Sequence, residues 1–382
     1  MKAICQKVDK VIHHGGMPLE SLSPLPPPSI GMLGGGFMAR THSHAARAAG
    51  ATLSAIATSN PERSAGVAQE LGYAEALTPE ALLAAAFPVV HVCTPNHSHL
   101  EYARQALQQG SHVICEKPLA TNTADARELT EEAARANRTG AVPFVYRYHP
   151  VVREARARIA SGEAGALITI SGQYLQDWLL DAQDDNWRVA AKNGGPSRAF
   201  ADIGSHLVDL IEFVTGDRIV RLVATTRTLH PERAGHAVDT EDAVALTVEM
   251  RGGAIGSLLV SQVAPGRKNG LVFEIAGDRQ SLRFEQEDPE RLWIGKRGES
   301  LLLRRDPDTQ GGDVARLSRV PAGHSQGYQD AFNGFVADAY AVAAGKEREG
   351  TPSFADGLRA AIVTDAVLES ARSGRWIEVS EA

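Results

Sequence analysis

The chain has 382 residues, 43% hydrophobic and 22% charged, which is the balance of a soluble globular protein too long for a single core. A net charge of −7 argues against nucleic acid or an anionic membrane as partner, and no run approaches the roughly 20 apolar residues of a membrane span. Three cysteines are too few for a disulfide framework. Cys93 and Cys115 lie inside apolar runs and read as buried small hydrophobes of a reducing, cytoplasmic environment.

Residues 1–29 differ from the rest. They carry His13-His14-Gly15-Gly16 and a proline-rich stretch, Pro24-Leu25-Pro26-Pro27-Pro28, that favours an extended chain. No basic region followed by an apolar one marks a signal peptide. The segment reads as a flexible extension, with Met17 as an alternative start.

From Ile30 short apolar runs alternate with amphipathic stretches. Strands are predicted over Ile30–Leu33, Ala51–Ala57, Val89–Cys93, His112–Cys115 and Ala141–Tyr146. Helices are predicted over Phe37–Ala49, Glu62–Leu71, Pro79–Ala86, His99–Gln109 and Thr123–Arg138. Asn60 is placed as an N-cap, with Pro61 at the first helical position. Such alternation implies a parallel, doubly wound sheet covered on both faces, a Rossmann domain over 30–148.

Beyond Tyr148 the pattern changes. After a helix at Val151–Ser161 come strands at Leu167–Leu175, Ile219–Leu229, Ala243–Met250, Ala254–Val263, Leu271–Ala276, Ser281–Gln286, Arg291–Lys296 and Leu301–Arg304. Parallel crossovers need a dozen or more residues, and most of these connections are shorter. Residues 149–382 are therefore expected to form an α+β domain with a large, mostly antiparallel open sheet. Helices at Tyr328–Ala344 and Phe354–Ser373 are expected to pack back over the domain junction.

Three constellations carry chemistry. Gly34-Gly35-Gly36-Phe37-Met38-Ala39 follows the first strand and opens the first helix, as a dinucleotide-binding turn requires. Gly34 permits the turn, Gly36 the approach of the pyrophosphate, and Ala39 close helix–strand contact. The second strand ends Ala57-Thr58-Ser59-Asn60 without a carboxylate to repel a 2′-phosphate. Thr58, Ser59 and Arg63 are donors for one, so the cofactor is NAD or NADP with a lean to NADP. Thr94-Pro95-Asn96 lies where the nicotinamide half would run, with His99 beside it. His97 and His99 at i and i+2 share no helix face, so no metal is expected.

Glu116-Lys117-Pro118 closes a buried strand at the crevice where such sheets bind ligands, and a strongly hydrated ammonium there needs a partner or a task. Asp202-Ile203-Gly204-Ser205-His206 places an Asp and a His at i and i+4, on one face of a helical turn. On spacing alone, a capping Asp with an ordinary surface His competes with a catalytic pair.

Taken together, Ile30–Ala39, Thr94–His99, Glu116-Lys117-Pro118 and Asp202…His206 closely resemble the Gfo/Idh/MocA family of glucose–fructose oxidoreductases, inositol dehydrogenases and relatives. The resemblance runs from Ile30 to about Glu378. It implies Lys117 as the essential lysine near substrate and nicotinamide, with Asp202 and His206 completing the acid–base set. It also implies a homo-oligomer, dimer or tetramer, formed through the open C-terminal sheet. Thr58 departs from the family, since many NAD-using members carry Asp there.

The expected activity is NAD(P)-dependent oxidation of a secondary hydroxyl of a sugar, sugar derivative or cyclitol. A glycosidase using transient oxidation and a non-catalytic sugar or cofactor sensor are the alternatives. Substrate contacts are expected from Lys117, Arg147, Tyr148, Gln176, Asp177, Trp187, Arg188, Asp202, His206 and His324. Arg267-Lys268-Asn269 reads as a hairpin tip.

Overall fold

A computed structural model describes residues 28–381. The predicted extension therefore lies outside the described residues, except that Ser29 already opens the first strand. Strands and helices alternate as β1 (Ser29–Leu33), α1 (Phe37–Ala48), β2 (Thr52–Ala57), α2 (Pro61–Leu71), β3 (Glu75–Leu77), α3 (Pro79–Ala84), β4 (Val89–Val92), α4 (His99–Gln108), β5 (His112–Cys115), α5 (Thr123–Arg135) and β6 (Gly140–Ala141). The six strands form one parallel sheet in the order β3-β2-β1-β4-β5-β6. The order reverses at β1 and β4, which opens a crevice at the strand C-termini.

The sixth strand is shorter than predicted. Pro143 cannot donate to a ladder, and the Val142 N–H goes instead to the Pro352 carbonyl at 3.2 Å. The chain leaves the sheet after Ala141 and makes a 3₁₀ turn over Val145–Tyr148.

The second half begins with α6 (Pro150–Ala160), β7 (Leu167–Leu175), a short α7 (Ala191–Gly194) and α8 (Ser205–Thr215), which follows a π-helical turn at Phe200–Gly204. Next come β8 (Ile219–Arg227), a small hairpin of β9 (Glu232–Arg233) and β10 (His236–Ala237), β11 (Ala243–Met250), β12 (Ile255–Ser261), β13 (Gly270–Gly277), β14 (Ser281–Glu285), β15 (Arg291–Gly295) and β16 (Ser300–Arg304). The chain ends in α9 (Pro307–Gln310), α10 (Gly312–Leu317), α11 (Tyr328–Ala343), α12 (Phe354–Ser373) and β17 (Ile377–Glu378). Nine strands make a mixed sheet ordered β16-β15-β14-β13-β7-β12-β11-β8-β17, in which only β7 and β12 pair in parallel.

Burial alternates along β11 and β12, so one sheet face is covered and the other open. The wholly buried helix α8 lies on the covered face. A Cβ at Gly172 would come within 2.8 Å of Leu258 and 3.2 Å of Leu207 and Ile211, so sheet and helix approach as closely as glycine allows. Helix α11 crosses the junction: Phe332, Phe335, Val336 and Tyr340 share a core cluster with Ile30, Met32 and Ile56 of the first sheet. Among the described residues no helix is long and apolar enough to cross a membrane.

Candidate active site

A cleft of about 960 Å³ runs along the C-terminal edge of the parallel sheet, from Thr58 and Arg63 at one end to Lys117 at the other. The glycine-rich turn forms its floor. Gly34 has φ +116°, and a Cβ there would sit 2.4 Å from the Cys93 carbonyl oxygen, so only glycine fits. A Cβ on Gly35 would meet the Thr58 methyl at 2.8 Å, whereas one on Gly36 would meet nothing within 4 Å. Gly36 therefore opens on free space at the N-terminus of α1, whose first turn carries no acidic residue. Unpaired helix N–H groups facing such space suit a pyrophosphate, and Phe37 and Met38 line the same wall. Ala39 is wholly buried at the helix–strand contact. A dinucleotide fits this turn.

At the far end Thr58 is nearly buried and its hydroxyl donates to the Asn60 carbonyl at 3.2 Å. The Asn60 side chain caps α2 by accepting from the Arg63 N–H at 2.8 Å, as the sequence predicts. Ser59 and the Arg63 side chain are left exposed on the cleft wall.

The turn after β4 is more structural than expected. Asn96 lines the cleft, but its side-chain N–H donates to the Gly194 carbonyl at 2.9 Å and so holds α7 against the cofactor domain. His99 is wholly buried, with Nδ1 2.8 Å from the Pro118 carbonyl and Nε2 2.9 Å from the Thr94 carbonyl. It ties two cleft-edge turns together. Thr94 and Pro95 remain on the cleft wall.

The tertiary structure brings Lys117 and Asp202 together across 85 residues of chain. The ammonium donates to the Asp202 carboxylate at 2.6 Å and to its backbone carbonyl at 2.8 Å. The other carboxylate oxygen accepts from Gln262 at 2.8 Å, and the Arg188 Nε stands 3.5 Å from the oxygen that Lys117 binds. Burial by itself would raise the Asp202 pKa, but Lys117, Arg188 and His206 together hold it down to about 2. Asp202 is thus an anion across the physiological range.

His206 is nearly buried, and its Nδ1 has no hydrogen-bond partner among the described residues. Burial chiefly, and then the Lys117 ammonium, push the imidazole well below its ordinary pKa; Asp202 opposes this only in part. The ring is held neutral between the edges of Phe144 and Tyr146, 5.6 and 5.1 Å away. Nδ1 is itself buried, so the neutral imidazole can take a proton from a ligand only through Nε2.

An aromatic wall completes the site, and the sequence pointed two residues away from it. Tyr146, not Tyr148, faces His206: its hydroxyl meets the Tyr174 hydroxyl at 2.6 Å and accepts from Asn269 at 3.2 Å. Gln176 donates to the Asn269 side chain at 3.1 Å and accepts from Trp178 at 2.8 Å. Tyr328 reaches the same cluster from α11. Burial raises the phenol pKa values of Tyr146, Tyr174 and Tyr328, which remain protonated donors. A strap carrying Asn186, Trp187 and Arg188 borders the cleft, with the guanidinium stacked 4.3 Å above the indole.

Four expected substrate contacts lie elsewhere. Arg147 is buried in a bidentate pair with Asp209 and a further bond to Asp356 at 2.8 Å, because the 3₁₀ turn aims it away from the cleft. Tyr148 packs on Phe335 and under the Arg153 guanidinium. Asp177 is committed to Lys268 at 2.7 Å and to the Gly266 N–H; the segment holding Lys268 is not the predicted hairpin tip, because β7 lies between β12 and β13 and the connection crosses it. His324 sits on an exposed loop whose carbonyl accepts from Arg305.

These placements make Arg147→Ala a stability variant. Two carboxylates would be left buried without their cation, a loss of about 3–5 kcal/mol. Chemical denaturation should show this loss, while the protein that remains folded keeps a normal KM. A raised KM with normal stability would return Arg147 to the substrate site.

A dinucleotide-binding turn in a doubly wound sheet, with a buried Lys–Asp pair at the end of its cleft, is the arrangement of a nicotinamide-dependent oxidoreductase. The family model for the oxidoreductase family with an NAD-binding Rossmann fold matches residues 29–144, and that for the GFO/IDH/MocA C-terminal domain matches residues 152–283. The chain belongs to the Gfo/Idh/MocA oxidoreductase family. It is 30% identical to levoglucosan dehydrogenase of Pseudarthrobacter phenanthrenivorans, over 92% of this chain and 98% of that protein. The structure of a levoglucosan dehydrogenase in complex with NADH and levoglucosan superposes with a TM-score of 0.87 at 30% identity, covering 93% of this chain and all of that one. An oxidoreductase domain protein from Kribbella flavida gives a TM-score of 0.85 at 36% identity, over 92% of this chain and 99% of that one.

Proposed function

We propose that this protein oxidises a secondary hydroxyl of a sugar, anhydrosugar or cyclitol, or reduces the matching ketone, with His206 as the base and Lys117 and Asp202 as its partners. The observation that carries this reading is the Lys117–Asp202 bond at the cleft wall, with His206 close enough for its pKa to respond to both charges. The levoglucosan-bound relative supports an anhydrosugar or pyranose as the substrate class.

A bound oxidised nicotinamide supplies the hydride acceptor. Lys117 would polarise and hold the substrate hydroxyl, and His206 would take its proton as the carbonyl forms. Asp202 holds the Lys117 ammonium in place through its carboxylate and its backbone carbonyl. Tyr146, Gln176 and Trp178 offer an aromatic face with adjacent hydrogen-bonding groups, the pairing that a polyhydroxylated ring needs.

We propose NADP as the preferred nucleotide, because Ser59 and Arg63 present donors at the cleft end where β2 runs into Thr58-Ser59-Asn60; the carboxylate on that wall, Glu80, comes from the start of α3. The open face of the nine-stranded sheet, lined by small and mixed residues such as Ser171, Thr225 and Thr247, is the proposed surface for a second copy.

The test is a panel of anhydrosugars, monosaccharides and inositols with NAD and with NADP, followed by the absorbance of the reduced nicotinamide. Net formation of reduced cofactor is expected with at least one anhydrosugar or pyranose. Bond cleavage without net reduction would instead indicate a glycosidase.

The pH profile offers a second check. The base is lost only when pH falls through the depressed pKa of His206, so oxidation should hold its kcat/KM as pH drops through 6.5. An acid limb above 6.5, the ordinary histidine value, would show that another group is the base.

A further inference from the structure

Glu116 precedes the catalytic lysine and lines the cleft while only 5% exposed. A carboxylate so buried is normally driven towards its neutral form. Here a chain of buried groups opposes that. The Tyr340 hydroxyl lies 2.8 Å from His91 Nε2, the His91 and His42 Nδ1 atoms lie 2.8 Å apart, and His42 Nε2 lies 2.9 Å from the Glu116 carboxylate. His42 and His91 are wholly inaccessible, and the edge-on contact of Phe332 with His42 (ring centroids 4.7 Å apart) fixes the first ring.

The proton positions follow from the network. An ionised carboxylate only accepts, so His42 Nε2 donates to it, and a single proton lies between the two Nδ1 atoms. A neutral ring pair meets this with Tyr340 donating to His91 and His91 donating to His42. Every member is then satisfied, and the remaining Glu116 oxygen accepts from the Lys117 N–H at 3.2 Å.

Other groups also face Glu116. His42 comes from α1, His99 from α4, Lys117 from the same turn, Cys93 and Cys115 from the ends of β4 and β5, and Tyr328 from α11. Burial keeps both thiols and the phenol protonated. Burial also raises the Glu116 pKa, but the hydrogen bond from His42 and the nearby cationic Lys117 oppose it and leave Glu116 below its ordinary value.

We propose that His42 and His91 are positioning residues that hold Glu116 as a buried anion at the nicotinamide end of the cleft, favouring the cationic oxidised nicotinamide over the neutral reduced one. This rests on the nicotinamide-dependent reading above but not on any particular sugar. The chain sets the relative affinity for the two cofactor forms, and hence the direction the site favours when both are present.

Dissociation constants for the oxidised and reduced cofactor test it, measured by calorimetry or fluorescence between about pH 6 and 9. The wild-type ratio of the two constants should be flat over that range. Glu116→Gln should shift it towards the reduced form by about 10-fold at every pH, the order expected for one charge pair in a partly solvated cleft. His42→Leu should give the same shift at low pH and recover as pH rises and the unsupported Glu116 ionises. His42→Gln, whose amide still donates, should stay near the wild type.

A merely structural role would weaken both cofactor forms alike and leave the ratio unmoved. An unchanged ratio in Glu116→Gln, which needs no histidine substitution to fold, overturns the proposal. Failure to turn over any sugar would instead sink the substrate reading and leave these ratios as stated.

Discussion

Lys117→Ala should lose about 10²–10⁴-fold in kcat/KM, the usual contribution of a positioned acid–base group, while keeping its fold and its affinity for the dinucleotide. The fold should survive because the ammonium occupies the cleft mouth rather than a core: the Lys117 and Asp202 side chains are 12% and 13% accessible. Asp202 loses one cation but keeps its bond from Gln262 and the charge of Arg188, so it is not stranded. What disappears is the donor that holds the substrate hydroxyl and the charge that helps keep His206 neutral. The variant's His206 should therefore titrate closer to an ordinary histidine, moving the acid limb of the residual activity to higher pH. Steady-state kinetics over a pH series, with cofactor titration on the same preparation, reads both effects. A variant with near-normal kcat would remove Lys117 from the chemistry.

Thr58→Asp should shift nucleotide preference towards NAD by roughly 5–150-fold in relative kcat/KM, equivalent to about 1–3 kcal/mol for opposing a phosphate charge at a partly exposed site. Thr58 follows β2 with its methyl against Gly35, so a side chain of similar size there faces the ribose side of the glycine-rich turn. A carboxylate would repel a 2′-phosphate and accept from a ribose hydroxyl. Arg63→Ala should act in the same direction by weakening NADP alone. Ionic strength must be matched, because exposed charge effects are screened by salt. Strong preference of the wild type for NAD would show that Ser59 and Arg63 do not bind a phosphate, and that neutral donors hold the ribose.

Local pattern encoded the scaffold. The positive φ at Gly34, the Asn60 cap with Pro61 behind it, the alternating runs of β11 and β12, and the change from βαβ units to hairpins all depend on residues near one another in sequence. Spacing puts Lys117 at a strand end and Asp202 with His206 on one helical turn, but leaves a capping Asp with a surface His as a competitor; only the family resemblance singles the three out. The same local pattern runs the sixth strand on past Pro143, where one absent N–H outweighs an apolar run.

Only the tertiary structure decided which polar groups met which. Arg147 looks from its neighbours like a cleft residue, yet its partners Asp209 and Asp356 lie 62 and 209 positions away. Asn96 serves a carbonyl 98 residues on, and Glu116 reaches a tyrosine in α11 through two histidines that no motif joins to it. Tyr146 and Tyr148 differ in sequence only by two steps, but the 3₁₀ turn sends one towards His206 and the other into the domain junction. The reason is physical. Periodicity and turn chemistry are short-range, whereas the partner of a buried donor or charge is set by how distant elements pack, and the cost of leaving it unpaired is met only there.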